Sequence, residues 1–253
     1  MLIELPFVLP QRTSKPRSNG ITMVMDKGLS IREAEDMIST AGHLIDFVKL
    51  GFGTSLFTNN LKEKINFYQK HNLKVYLGGT LFEAFVIRNK FDDYRKFIKD
   101  LQITTVEVSD GSMDMKHDDK CEYINKLAKD NTVISEVGSK DAGIHIPPDE
   151  WAAMMLKELQ AGSVNVIAEA RESGTVGIYD PKGNADIALI HKILEKVALD
   201  KIIWEAPLKS QQVWFIKNFG TNINLGNIAP NEVIALETLR MGLRGDTFHQ
   251  FLP

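Results

Sequence analysis

Four glutamates recur along the middle of the chain, each near the C-terminal end of a short apolar run: Thr-Val-Glu107-Val-Ser, Ile-Ser-Glu136-Val-Gly, Ile-Ala-Glu169-Ala-Arg and Ile-Trp-Glu205-Ala-Pro. They lie 29, 33 and 36 residues apart, close to the ~30 residues of one strand–helix–strand unit. Strands of a parallel sheet are buried on both faces and read as nearly continuous Val, Ile and Leu. A recurrent carboxylate there is costly unless it faces a polar site. Carboxylates gathered at one place raise one another's pKa, so they call for counter-charge. A hard divalent cation such as Mg²⁺ supplies it through oxygen ligands. Asp26 and Asp110 stand just beyond two strand ends and extend the acidic set, whereas Glu205, directly before Ala206-Pro207, fits a ligand role least well. The alternative for any one glutamate is a structural ion pair with a lysine of the same barrel; four aligned glutamates weigh against that reading for the group.

Cations and anion-binding turns accompany the acids. Lys27 and Lys49 follow apolar runs at the ends of the first two strands, and Lys140 lies in the loop after the fifth. An ammonium there can pair with the acids, hold an anionic substrate, or donate a proton. Gly51-Phe52-Gly53-Thr54-Ser55 offers backbone N–H groups and two hydroxyls ahead of a helix, a phosphate cradle in outline. The signal is weak alone, because Gly-x-Gly without the third glycine is no nucleotide fingerprint. Arg171, Arg240 and Arg244 can each grip a phosphate bidentately, although arginines near a chain end also neutralise helix termini or join a homo-oligomer interface.

These residues need elements to position them. From Gly20 onward, apolar strand candidates alternate with amphipathic helices, the pattern of a parallel α/β fold. Eight strands are expected, at residues 21–25, 45–50, 74–77, 105–109, 133–137, 164–168, 201–204 and 222–225. Ser30 with Glu33 has capping-box spacing, Pro148 opens a helix that Gly162 closes, and residues 82–101 hold one long or two short helices. Eight strands can close on themselves and leave no edge. The expectation is a single-domain (β/α)₈ TIM barrel over residues 20–253, preceded by a Pro- and Arg-rich arm at residues 1–19. Polar and Gly-rich turns concentrate after the strands, which places the chemistry at the C-terminal face of the barrel.

Composition narrows the function classes. With 253 residues, 43% hydrophobic and 25% charged, the chain matches one soluble barrel. A net charge of −3 gives no reason to expect nucleic acid or an anionic membrane as partner. No apolar stretch approaches the ~20 residues of a membrane-spanning helix, and the first residues lack a signal-peptide pattern. Cys121 is the one cysteine, so no internal disulfide forms; a cytoplasmic protein is expected. The six histidines show no zinc-binding spacing, and neither a Gly-x-Ser-x-Gly elbow nor a Walker loop occurs.

The residues quoted above, with Asp26-Lys27-Gly28-Leu29, Gly51-Phe-Gly-Thr-Ser55, Leu77-Gly-Gly79-Thr-Leu-Phe-Glu83, Glu107-Val-Ser-Asp110-Gly-Ser, Arg171-Glu-Ser-Gly174, Lys209-Ser-Gln-Gln212 and Leu239-Arg-Met-Gly-Leu-Arg-Gly-Asp-Thr-Phe248, resemble the phosphosulfolactate synthase family. That family opens one route to coenzyme M and has plant heat-stress relatives. The resemblance runs in order over residues 20–248. It implies a (β/α)₈ fold, Mg²⁺ dependence, and addition of sulfite to phosphoenolpyruvate to give (2R)-phospho-3-sulfolactate. Glu107, Glu136 and Glu169 are then the expected metal ligands. Lys140 is the expected proton donor, with Lys27 and Lys49 as alternatives. Arg171, Gly53, Thr54, Ser55, Asn227 and Arg244 are the expected substrate-binding set. Two further readings compete: a different metal-dependent lyase or aldolase acting on a small phosphorylated acid, and a stress-associated barrel that has lost turnover.

Overall fold

The computed structural model describes residues 6–139, 143 and 146–252. Parallel strands alternate with helices throughout: β1 (Thr22–Asp26), α1 (Ile31–Ala41), β2 (Phe47–Leu50), α2 (Leu61–Lys70), β3 (Lys74–Leu77), α3 (Gly79–Val86), α4 (Phe91–Asp100), β4 (Thr105–Val108), α5 (His117–Leu127), β5 (Thr132–Val137), α6 (Pro148–Ala161), β6 (Ser163–Ala168), α7 (Ile187–Leu194), β7 (Ile202–Glu205), α8 (Lys209–Phe219), β8 (Leu225–Ile228) and α9 (Val233–Arg240). The sheet runs β3-β2-β1-β8-β7-β6-β5-β4. This is the expected (β/α)₈ barrel in one domain, nearly closed, with its seam between β3 and β4.

Local chemistry explains most element ends. Ser30 accepts from the Glu33 amide while the Glu33 carboxylate accepts from the Ser30 amide, so the capping box opens α1 as its spacing requires. The segment 82–101 resolves into two helices, because Asn89 adopts a φ of 55° between α3 and α4. The last strand sits three residues later than its apolar pattern suggests. Asn224 is used instead as a bracket: its carbonyl oxygen accepts from the Ile21 amide at 3.0 Å and its amide donates to Ile202 O at 3.0 Å. Gly226 then enters the barrel, where an added Cβ would lie 2.6 Å from Met23 Cε.

The two faces of the strands divide the core. Ile21, Met23, Phe47, Tyr76, Ile134, Ile167 and Ile203 form a separate apolar cluster inside the barrel, while a much larger cluster packs helices on its outside.

The bottom of the barrel is sealed by arginine. Arg240 is fully buried and donates to Thr221 O at 2.6 Å, Ile223 O at 2.7 Å and Ile21 O at 3.3 Å. Burial pushes its pKa down to about 9, with Arg12 adding to the fall, so it still carries its charge at neutral pH. The arm lies across the same end. Arg12 reaches Glu237 at 2.9 Å and Gly20 O at 3.0 Å, and Arg17 reaches Asp46 at 3.1 Å. All these partners precede strands or sit in α9, so the arm is fastened beneath the barrel, away from the strand C-termini.

Replacing Arg240 with Met removes three hydrogen bonds to backbone carbonyls and leaves Ile223 O without its buried donor, although Ile21 O keeps the Leu225 amide and Thr221 O keeps Arg12; it should cost about 3 kcal/mol or more. The substitution Arg244→Met, at a half-exposed site, should stay within about 0.5 kcal/mol of the parent. Urea titration of both variants checks the contrast.

Candidate active site at the strand C-termini

A two-residue rhythm builds the site. Met23 is followed two positions on by Met25, Phe47 by Lys49, Ile134 by Glu136, Ile167 by Glu169, and Ile203 by Glu205. The first of each pair belongs to the interior apolar cluster. Residues i and i+2 of a strand share a face, so each second member also points inward, one layer nearer the mouth. An apolar layer therefore carries a charged layer directly above it. Glu107, on β4, joins that layer beside the seam.

Lys49 is the hub. It is 6% exposed, and its Nζ lies 2.9 Å from Glu107 Oε2, 2.9 Å from Glu136 Oε2 and 3.5 Å from Glu205 Oε1. Burial works against its charge, but the three glutamates outweigh burial and hold its pKa well above the ordinary lysine value. Tyr76, its register partner on β3, has its hydroxyl pKa driven up by burial and then by Glu107. Glu205 is pushed toward its neutral form. Burial pushes its pKa up from 4.5 to about 7 against the pull of Lys49, with Glu136 and Glu107 adding to the rise.

One carboxylate oxygen from each of Glu136, Glu169 and Glu205 lies within 4.8 Å of the other two. Three hard oxygen donors from three neighbouring strands, all buried, are the donor type that a hard divalent cation takes. The trio differs from the expected set in one member. Glu107 is drawn aside to the seam: its Oε1 accepts the Gly79 amide at 2.5 Å, at the start of α3, and its other oxygen faces Lys49. Glu205 takes the third place. Its other oxygen accepts the Ala170 amide at 3.0 Å, which aims the carboxylate across the mouth. The Ala-Pro that follows Glu205 made it look unpromising; the Ile203–Glu205 repeat of the same rhythm is the signal that marks it.

A cavity of ≈240 Å³ opens above the acids, lined by Lys49, the four glutamates, Phe52, Gly78-Gly79-Thr80, Arg171, Glu172 and Asn227. Arg171 stands on its rim and makes no ion pair among the described residues. Asn227, at a φ of 58°, donates to Ala170 O at 3.3 Å. Lys27, half exposed after β1, lines a neighbouring cleft rather than this cavity and pairs with Glu172 at 2.8 Å, 5.5 Å from the Phe52 ring centre. Gly79 admits the close passage of β4, since a Cβ there would sit 2.2 Å from Ser109 Oγ.

Other expected residues are placed elsewhere. Arg244, in the turn after α9, is not among the residues that line the cavity, and two positions on, Asp246 pairs with Lys209 at the start of α8 at 2.7 Å. The turn Gly53-Thr54-Ser55 is not among the residues that line this cavity. The Thr54 amide and hydroxyl both go to Gly51 O, and Thr54 faces a neighbouring cleft of ≈590 Å³ instead. Asp26 and Asp110 are consumed by structural pairs with Lys64 at 2.6 Å and Lys120 at 2.7 Å. Lys140 lies outside the described residues.

Comparison with known proteins agrees with this geometry. The family model for (2R)-phospho-3-sulfolactate synthase (ComA) matches residues 10–246. The chain is 45% identical to the phosphosulfolactate synthase of Methanocaldococcus jannaschii, over 90% of this chain and 94% of that one. It is 41% identical to that of Methanothermobacter thermautotrophicus, over 95% and 96%. Protein HEAT-STRESS-ASSOCIATED 32 of Arabidopsis thaliana is 22% identical over 90% of this chain and 88% of its own. Among solved structures, 3-hexulose-6-phosphate synthase from Salmonella typhimurium aligns with a TM-score of 0.58 at 12% identity, covering 88% of this chain and 100% of that chain, a likeness of fold alone. A barrel whose mouth gathers four glutamates around one lysine, matched along nearly its whole length by curated enzymes of one name, belongs to the phosphosulfolactate synthase family.

Proposed function

We propose that this chain adds sulfite to phosphoenolpyruvate to give (2R)-phospho-3-sulfolactate, with Mg²⁺ held by Glu136, Glu169 and Glu205. The observation that carries the reading is the convergence of those three carboxylates next to the Lys49 ammonium, at the foot of a cavity rimmed by Arg171. The family membership supplies the product; the donor set fits the ion.

In the reaction the sulfite lone pair forms a bond to C3 of the enol phosphate. The C2=C3 π electrons move toward C2 and the adjoining carboxylate, and a proton then adds to C2. The phosphate ester stays intact, so atoms and charge balance without a redox partner. Mg²⁺, when bound, supplies Lewis-acid stabilisation of the negative charge that develops on the substrate carboxylate. The protein's own groups do the rest. Lys49 stays protonated among its glutamates, which suits it to hold a carboxylate rather than to give up a proton. Arg171 offers its planar fork to the phosphate. Lys140, in the loop after β5, delivers the proton to one face of C2 and so sets the R configuration. At ≈240 Å³ the cavity is below the ~300–1,000 Å³ of sites for drug-sized ligands and suits a three-carbon acid with a small nucleophile.

Purified protein incubated with phosphoenolpyruvate, sulfite and Mg²⁺ should form phosphosulfolactate, read by mass spectrometry, and should form none when sulfite is omitted. Loss of phosphoenolpyruvate in the absence of sulfite would refute the reading. Lys140→Ala should lower turnover by roughly 10²–10⁴-fold while phosphoenolpyruvate and Mg²⁺ still bind; near-normal turnover removes Lys140 from the mechanism.

The raised pKa of Glu205 gives a pH signature. In the metal-free protein its carboxyl binds a proton more tightly folded than unfolded, so it favours the fold at low pH. That contribution is lost as pH climbs from 4.5 toward about 7. Mg²⁺ requires the ionised form. The rise in Tm produced by Mg²⁺ should therefore grow between pH 6 and pH 8 in thermal melts, and Glu205→Gln should flatten the trend.

A further inference from the structure

Behind the sheet, away from the cavity, a second buried charge cluster centres on Lys120 in the first turns of α5. Lys120 is fully buried, and its Nζ reaches Asp110 Oδ1 at 2.7 Å, Glu158 Oε1 at 2.8 Å and the backbone carbonyl of Glu136 at 2.6 Å. Glu158, on α6, also lies 3.1 Å from His117 Nε2. One ammonium thus joins α5, α6, the loop after β4 and the end of β5. Burying such a group costs several kcal/mol per ion, and apolar replacements of buried ion clusters are often neutral or stabilising. Stability alone does not account for a lysine here.

We propose that Lys120 is a positioning residue for Glu136, and through it for the cation site. β4 pairs with β5 only as far as Val108↔Ser135, so the Glu136 peptide lies one residue past the end of that ladder. The Lys120 ammonium takes the Glu136 carbonyl where β4 no longer pairs with it. Holding that carbonyl fixes the Glu136 peptide plane, and with it the direction in which the side chain leaves the strand. The carboxylate at its tip must meet Glu169, Glu205 and Lys49. Ligand constellations tolerate displacements of only about 0.5 Å or 10–20°, and a tilt of that size at the backbone is carried to the end of the side chain. Asp110 and Glu158 in turn fix Lys120, so the ammonium cannot follow the carbonyl if it rotates. Partners one step removed from a metal typically change its affinity by about 10–100-fold when lost.

The inference rests on the Mg²⁺ reading of the trio, and the test separates the two. Lys120→Met leaves Glu158 buried without its cation and risks misfolding, so Lys120→Met/Glu158→Met is made beside it, with Lys120→Arg as the conservative variant. Mg²⁺ alone is titrated calorimetrically into each, and Tm is recorded without metal. The double variant should melt cooperatively yet bind Mg²⁺ about 10–100-fold more weakly, with Lys120→Arg recovering part of the loss. Arg12→Met, at the sealed end, should lower Tm without changing the Mg²⁺ affinity. A folded double variant that binds Mg²⁺ within twofold of the parent overturns the role of Lys120 while leaving the metal reading intact. A parent protein that binds no Mg²⁺ overturns both.

Discussion

One ammonium among buried carboxylates is the constraint on which the rest of the molecule depends. Lys49 contacts Glu107, Glu136 and Glu205, each of which is at most 2% exposed. Removing such charges from water costs several kcal/mol per ion before any pairing is counted. The attraction to a single lysine offsets part of this, and Glu205 meets the shortfall by favouring its protonated form up to about pH 7. A layer of Ile and Met directly beneath the charges removes the option of solvating them from below. The mouth is left poised to take up positive charge, and a divalent ion is the counter-charge that three oxygen donors recognise.

The barrel divides its labour between its ends. At the bottom, arginines of the arm and of α9 direct donors to backbone carbonyls and structural acids. At the top, Arg171 sits at the rim, and the backbone itself is recruited: the Gly79 amide fixes Glu107 and the Ala170 amide fixes Glu205. The seam between β3 and β4 is part of this arrangement. Where strand pairing is missing, Glu107 and the start of α3 bridge the gap by side-chain to backbone bonding.

The supports extend outward from the acids. Gln211 donates to Gly174 O at 2.8 Å while accepting from the Leu208 amide, which braces the turn that begins at Arg171. Tyr179 donates to Glu205 O at 2.6 Å from the same long loop. With Lys120 at Glu136, two of the three trio residues have their backbone carbonyls held by a buried side chain. Precision at the mouth is therefore a property of the layer between sheet and helices as much as of the mouth itself.

What the chain settled by itself were features written in local order. The eight-unit alternation, the capping box at Ser30, the strand at residues 74–77 and the recurrence of glutamate at strand ends follow from periods and short-range rules that any stretch of residues obeys alone. Tertiary structure decided the matters that depend on distance through space. Whether Glu107 or Glu205 completes the trio turned on the seam, which no residue near either glutamate encodes. Arg171 and Arg244 look alike as cations in a turn, yet only Arg171 is among the residues that line the cavity, because closure of the barrel decides which loops meet at the mouth. The last strand slid three residues because Asn224 was needed between β1 and β7, and hydrogen-bond demand from distant backbone outranked the local apolar pattern.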